Sequence, residues 1–124
     1  MVIIDPSKRE SILKIGLIEI GNRYGVGYKC EDFVRDIYRK IEISIDFNDH
    51  PILSFEDILR EEFIGYLCFL KHKEYAQDRY RFTHVGIIFP DHHLLHYSRY
   101  FGEPNVREVY LTPFSRIFEV YNFT

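Results

Sequence analysis

Three residues carry the strongest chemical signal in this chain: Cys30, His84 and His96. Cys30 follows the loop Tyr24-Gly25-Val26-Gly27-Tyr28-Lys29 and precedes Glu31-Asp32-Phe33-Val34. That pattern predicts a thiol in the first turn of a helix, where unpaired backbone N–H groups and the helix dipole favour thiolate over thiol. Lys29 adds a positive charge beside the sulfur, and Glu31 and Asp32 oppose it. The same N–H groups are suited to hold an oxyanion during acyl transfer. A nucleophilic thiol also needs a base, and the base needs an orienting partner. His84 opens the apolar run Val85-Gly86-Ile87-Ile88-Phe89, and His96 lies within Leu94-Leu95-His96-Tyr97-Ser98. With Pro90-Asp91-His92 as the turn, pairing of these segments brings both imidazoles to one sheet. One ring can then accept a proton from sulfur while the other hydrogen-bonds to its second nitrogen.

Each of these residues has a second reading. Free cysteines are commonly buried and structural, and local context alone leaves Cys30 open between that role and a nucleophile. A lone histidine in a strand is usually a satisfied core or surface residue, and His92 and His93 are expected to flank the turn and face water. Cys68 lies inside the run Gly65-Tyr66-Leu67-Cys68-Phe69-Leu70, without charged or glycine-rich neighbours, and is assigned to the core. A Cys, His, His set is also a zinc donor set. No Cys-x-x-Cys or His-Glu-x-x-His spacing is present, so neither a metal nor another cofactor is expected.

The elements that must position these residues can be read in order. Asp5-Pro6-Ser7 is a helix start, and Ile12, Leu13, Ile15, Leu17, Ile18 and Ile20 are read as its apolar face, ended by Gly21-Asn22. A second helix begins near Cys30, with Phe33, Val34, Ile37, Tyr38 and Ile41 at helical spacing. Ser54 and Asp57 form a capping-box pattern for a short helix over Phe55 to Glu62. Strands are predicted at Ile64–His72, Thr83–Phe89, His93–Tyr100, Val106–Leu111 and Ile117–Phe123. The polar stretch Lys73–Asp78 and Thr112-Pro113-Phe114-Ser115 are the connections. Helices followed by an antiparallel meander imply an α+β fold of about five strands.

The 124 residues suit one domain spanning 1–124. Hydrophobic residues at 46% and aromatics at 17% supply a core. A formal charge of -3 and a pI near 6.1 argue against nucleic acid as a partner. Basic residues such as Lys8, Arg35, Arg39, Arg79 and Arg81 are scattered and read as solvated. No segment has the length and apolarity of a membrane span, and the N-terminus lacks a Sec-type signal pattern. The chain is therefore expected to be cytoplasmic, exported by a non-Sec route, or a mature form. Two cysteines make a disulfide framework improbable.

Taken in order, these motifs resemble the NlpC-type cell-wall cysteine peptidases, a branch of the papain-like fold. That family shows a Tyr in a glycine-rich loop, then Asp-Cys-Ser-Gly-Phe-Val opening a helix, matched here by Tyr24 through Val34. Gly65-Tyr66-Leu67-Cys68-Phe69-Leu70 is similar to its Gly-Asp-Leu-Val-Phe-Phe strand. His84-Val85-Gly86-Ile87 and Leu94-Leu95-His96 match its two histidine segments in type and spacing, and the tail from Val106 to Arg116 is similar to its closing strands. The resemblance covers the chain from about Gly21 onward. It implies Cys30 as nucleophile, His84 as base, His96 as orienter and Tyr24 as a residue lining the substrate cleft. The departures are Lys29 in place of the family's Asp, and Glu31-Asp32 in place of its Ser-Gly; they bear on specificity.

The function expected is amide hydrolysis in peptidoglycan stem peptides. The alternatives are an amidase, acyltransferase or deamidase on a protein, lipid or small-molecule amide, and an inactive binding or structural module. The partners expected are a peptidoglycan peptide or other amide substrate and a cognate inhibitor or delivery partner, with the chain itself a monomer.

Overall fold

The computed structural model describes residues 3–74 and 82–123. Arg79, Arg81 and the 75–78 end of the polar stretch lie outside the described residues. The fold is α+β. Three helices come first: α1 (Pro6–Glu19), α2 (Cys30–Arg39) and α3 (Phe55–Ile58). Strands β1 (Leu67–His72), β2 (His84–Phe89), β3 (His93–Ser98) and β4 (Glu108–Pro113) follow, then helix α4 (Phe114–Val120) and strand β5 (Tyr121–Phe123). The sheet has the order β4-β3-β2-β1-β5 with every pair antiparallel. No helix among the described residues is long and apolar enough to cross a membrane.

Side-chain alternation divides the sheet into two apolar faces. Phe69, Val85, Ile87, Leu95, Tyr97 and Val109 pack with α2 through its buried stripe Phe33, Val34, Ile37 and Tyr38. Cys68, Leu70, Ile88 and Leu94 pack on the other side with Phe114 and Ile117 of α4. Each fully buried large side chain contributes about 1.5 to 3 kcal/mol, so the α2 stripe alone anchors that helix firmly. The Tyr38 hydroxyl adds a buried tie, donating to the Gly65 carbonyl at 2.6 Å just before β1.

Three expectations are corrected. The apolar residues of α1 do not form one face: Ile12 and Gly16 are buried, whereas Leu17, Ile18 and Ile20 are exposed. At 100° per residue those six positions spread around the whole helix. The docking stripe is instead set by Gly16, where an added Cβ would lie 2.6 Å from Leu95 and 2.7 Å from Phe89. The short third helix ends at Ile58, and Glu61–Phe63 form a separate 3-10 turn. Its capping box is present, with Ser54 and Asp57 exchanging hydrogen bonds of 3.2 and 3.0 Å. The last predicted strand is a helix over most of its length. Phe114, Ile117 and Phe118 recur at i, i+3, i+4, which is helical spacing, and Pro113 supplies an extended residue before the first turn.

Candidate active site

Histidines 84 and 96 reach one site because of strand parity. In the β2–β3 ladder Ile88 faces Leu94, and His84 and His96 fall on that same side of their strands. The ladder runs from Phe89↔His93 to Ile87↔Leu95 and stops short of His84. At that end of β2 the N-terminus of α2 arrives. Cys30 and His84 line a common cavity of about 350 Å³ together with Thr83, Tyr97, Ser98 and Tyr121. Asp32 closes the first turn of α2 by accepting the Lys29 backbone N–H at 2.8 Å, which fixes the turn that presents Cys30.

The imidazoles are linked. His84 Nε2 lies 2.8 Å from His96 Nδ1, and His96 Nε2 lies 2.9 Å from Thr112 Oγ1. Both rings are buried, His84 at 4% exposure and His96 at 0%. The His84 ring stacks on Tyr121 at 4.4 Å between centroids, with planes 8° apart, and the His96 ring meets Phe101 edge-on at 5.1 Å. These contacts hold both rings in place. Protons can run along this chain in either direction. When His84 Nε2–H donates to His96, His96 Nε2–H donates to the Thr112 hydroxyl and His84 Nδ1 keeps a free lone pair. That is the arrangement a general base requires.

Burial dominates the electrostatics. It pushes His84 down to about 3, with His72 lowering it further, and it depresses His96 strongly, with His84 adding to the effect. Both rings are neutral at pH 7. Burial pushes the Cys30 thiol up to about 11. The backbone N–H of Val85 opposes this most, the Glu31 charge reinforces it, and the N–H groups of Glu31 and Cys30 also oppose it. Backbone N–H groups of Val85 in β2 and of Glu31 and Cys30 in α2 thus favour the thiolate, against the larger effect of burial. The resting pair is a neutral thiol beside a neutral imidazole.

Tyr24 sits elsewhere than expected. Its ring stacks on Tyr28 at 4.2 Å, its hydroxyl donates to Glu19, and it lines a second hollow with Asn22, Phe33 and Asp36. The residues lining the Cys30 cavity do not include it. The cause is the short loop before Cys30: the Tyr28 hydroxyl donates to Asp36 and the Tyr97 edge packs on both rings, holding the tyrosines on the α2 side. His92 is exposed in the turn, whereas His93 begins β3 half-buried and donates Nδ1–H to the Asp91 carbonyl at 2.9 Å. Cys68 is buried in the core at 3% exposure.

Sequence reasoning missed Thr112, Tyr121 and His72. By sequence Thr112 belongs to a connection, yet β4 runs to Pro113 and pairs Thr112 with Leu94, on the side of the sheet that carries His96. Tyr121 falls in the last predicted strand, where no sequence pattern marks a role for it. His72, the end of β1, lines the cavity and accepts the Glu74 N–H at Nδ1, 3.0 Å away. Two-residue periodicity from Leu70 through His72 was the available signal. Among the described residues no group of three His, Cys, Asp or Glu side chains is arranged to hold a metal ion.

No family model and no curated protein matches the chain. Among solved structures, it is similar to a crystal structure from Staphylococcus aureus subsp. aureus Mu50, described as similar to lipoprotein, NLP/P60 family. The TM-score is 0.59 at 20% identity, over 87% of this chain and 38% of that one. The fold is therefore NLP/P60-like, and the chain spans 38% of the length of the protein it matches.

Proposed function

We propose that the chain is a cysteine hydrolase that cleaves an amide bond, in peptidoglycan stem peptides by its resemblance to the NlpC-type family. Cys30 is the nucleophile, His84 the base and His96 the orienter. The observation that carries the reading is the cavity shared by the Cys30 thiol and a His84 ring held by His96 and Thr112. An NLP/P60-like fold agrees with it.

In the mechanism, Cys30 Sγ attacks the amide carbonyl carbon as its S–H proton passes to His84 Nδ1. The carbonyl oxygen becomes an oxyanion that the backbone N–H groups at the helix start can hold. The C–N bond then breaks, and the departing amine takes the proton from His84. Water, deprotonated by His84, attacks the thioester and releases the acid, and the thiol is restored. His96 accepts the Nε2–H of His84 throughout, so the imidazolium keeps its orientation, and Thr112 holds His96 in the matching tautomer. Because burial favours the neutral pair, the sulfur becomes anionic only as it attacks.

The test is incubation with purified muropeptides. Wild-type protein is expected to release a new amine, and Cys30→Ala to release none. Cleavage retained by Cys30→Ala discards the reading. An inactive wild type whose Cys30 is still labelled rapidly by a thiol probe moves it to another amide.

A further inference from the structure

During turnover His84 must carry a proton inside a buried site. Burial holds it down to about 3, and His72 lowers it further. A buried cation is ordinarily made tolerable by a neighbouring anion. Here the orienting group is a second imidazole, and the hydrogen-bond chain ends on the Thr112 hydroxyl, so neither partner brings a negative charge. Among the described residues no carboxylate forms an ion pair with His84. His84 has an aromatic face instead: the Tyr121 ring stacks on it at 4.4 Å between centroids, with planes 8° apart. A cation within about 6 Å of a tyrosine face is drawn to the negative quadrupole of the ring, most strongly where water is excluded. A neutral imidazole has no net charge for that quadrupole to act on, so the stack favours the protonated ring.

The fold fixes the tyrosine as well as the histidine. Leu70 pairs with His84, and His72 pairs with Tyr121, so sheet parity puts Tyr121 on the same side of the sheet as His84. The His72 ring stands perpendicular to Tyr121 at 5.6 Å. The Tyr121 hydroxyl lies 3.4 Å from Ser98 Oγ, which also accepts the Tyr100 backbone N–H at 3.3 Å. Strand β3 therefore grips both rings: His96 holds the nitrogen of His84, and Ser98 holds the ring stacked upon it.

We propose that Tyr121 is a positioning residue of the site, whose ring face supports His84 while His84 carries the proton taken from Cys30. This rests on the hydrolase reading above and adds to it a residue from the last strand, which gives the support that a charged orienting group would otherwise supply.

The test varies the charge distribution of the ring and leaves its shape nearly unchanged. Tyr121→Phe is compared with proteins carrying mono-, di- and trifluorinated phenylalanine at the same position, introduced by amber suppression, because fluorine withdraws electron density from the ring face. The readout is the rate of Cys30 alkylation by iodoacetamide at neutral pH: sulfur bonds to the methylene carbon, iodide leaves, and the S–H proton goes to His84. Rates should fall stepwise, by about two- to threefold per fluorine. Tyr121→Leu should be slowed at least as much as the trifluorinated protein, and Tyr121→Phe should recover most of that loss. The steps should vanish in a His84→Ala background. Equal rates across the fluorinated series overturn the proposal, as do steps that persist without His84. The two readings fail separately: a rate that His84→Ala leaves unchanged sinks the hydrolase and this role with it, whereas a rate that needs His84 but ignores fluorination removes the role of Tyr121 alone.

Discussion

Cys30 and Cys68 are two free thiols in one chain, and burial raises both, to about 11 and about 12. Ionisation tendency hardly separates them; their surroundings do. Cys68 lies near the start of β1 among apolar side chains, and burial alone accounts for its shift. Cys30 has backbone N–H groups of α2 and β2 that favour its thiolate, and it shares a cavity with an imidazole whose Nε2 is engaged by His96. A thiol with an unfavourable resting ionisation can still be a nucleophile when a base stands ready and donors await the charge.

The largest expected effect breaks this contrast outright. Cys30→Ala should lower amide cleavage by about 10⁴-fold or more, whereas Cys68→Ala should leave the rate intact and cost about 1 to 2 kcal/mol of stability through a small core cavity. Turnover assays and denaturant melts of the two variants check both halves. His84→Ala should follow, slowing Cys30 chemistry by about 10² to 10⁴-fold without altering the labelling of unfolded Cys68. Thr112→Val should then cost about tenfold in kcat, with KM little changed, because His96 loses the acceptor that sets its tautomer. Thr112→Ser should restore the rate, which a purely structural role for the methyl group would not allow.

The smallest effect concerns stability. His84 titrates near 3 in the folded chain and near 6.5 when unfolded, and His96 is likewise depressed. Between those values the unfolded chain binds more protons, so stability rises with pH and is lost as pH falls below 6.5. At pH 5 the loss from His84 is about 2 kcal/mol, and His96 adds to it in the same direction. Thermal midpoints measured from pH 7 to pH 4.5 should decline in wild type and decline less in His96→Gln.

Local signals in the chain determined much of this. The glycine loop and acidic first turn marked the start of α2 at Cys30, and the spacing from His84 to His96 around Pro90-Asp91-His92 was enough to pair two imidazoles. The NLP/P60-like fold agrees with the α+β class read from the chain. The parts that escaped depend on contacts distant in sequence. Tyr24 is turned away by Glu19 and Tyr28, neither of which a motif comparison weighs. The α1 face depends on Gly16 meeting Phe89 and Leu95, far along the chain. Thr112 enters only because β4 extends past the predicted Leu111.

The most direct measurement is the pH profile of iodoacetamide alkylation at Cys30, read by mass spectrometry for wild type and His84→Ala. The wild-type rate is expected to stay nearly level from neutrality down past pH 6, because His84 takes the proton as sulfur attacks. In the variant the rate is expected to climb with pH toward the buried thiol's value of about 11. Two superimposable profiles would contradict a base at His84.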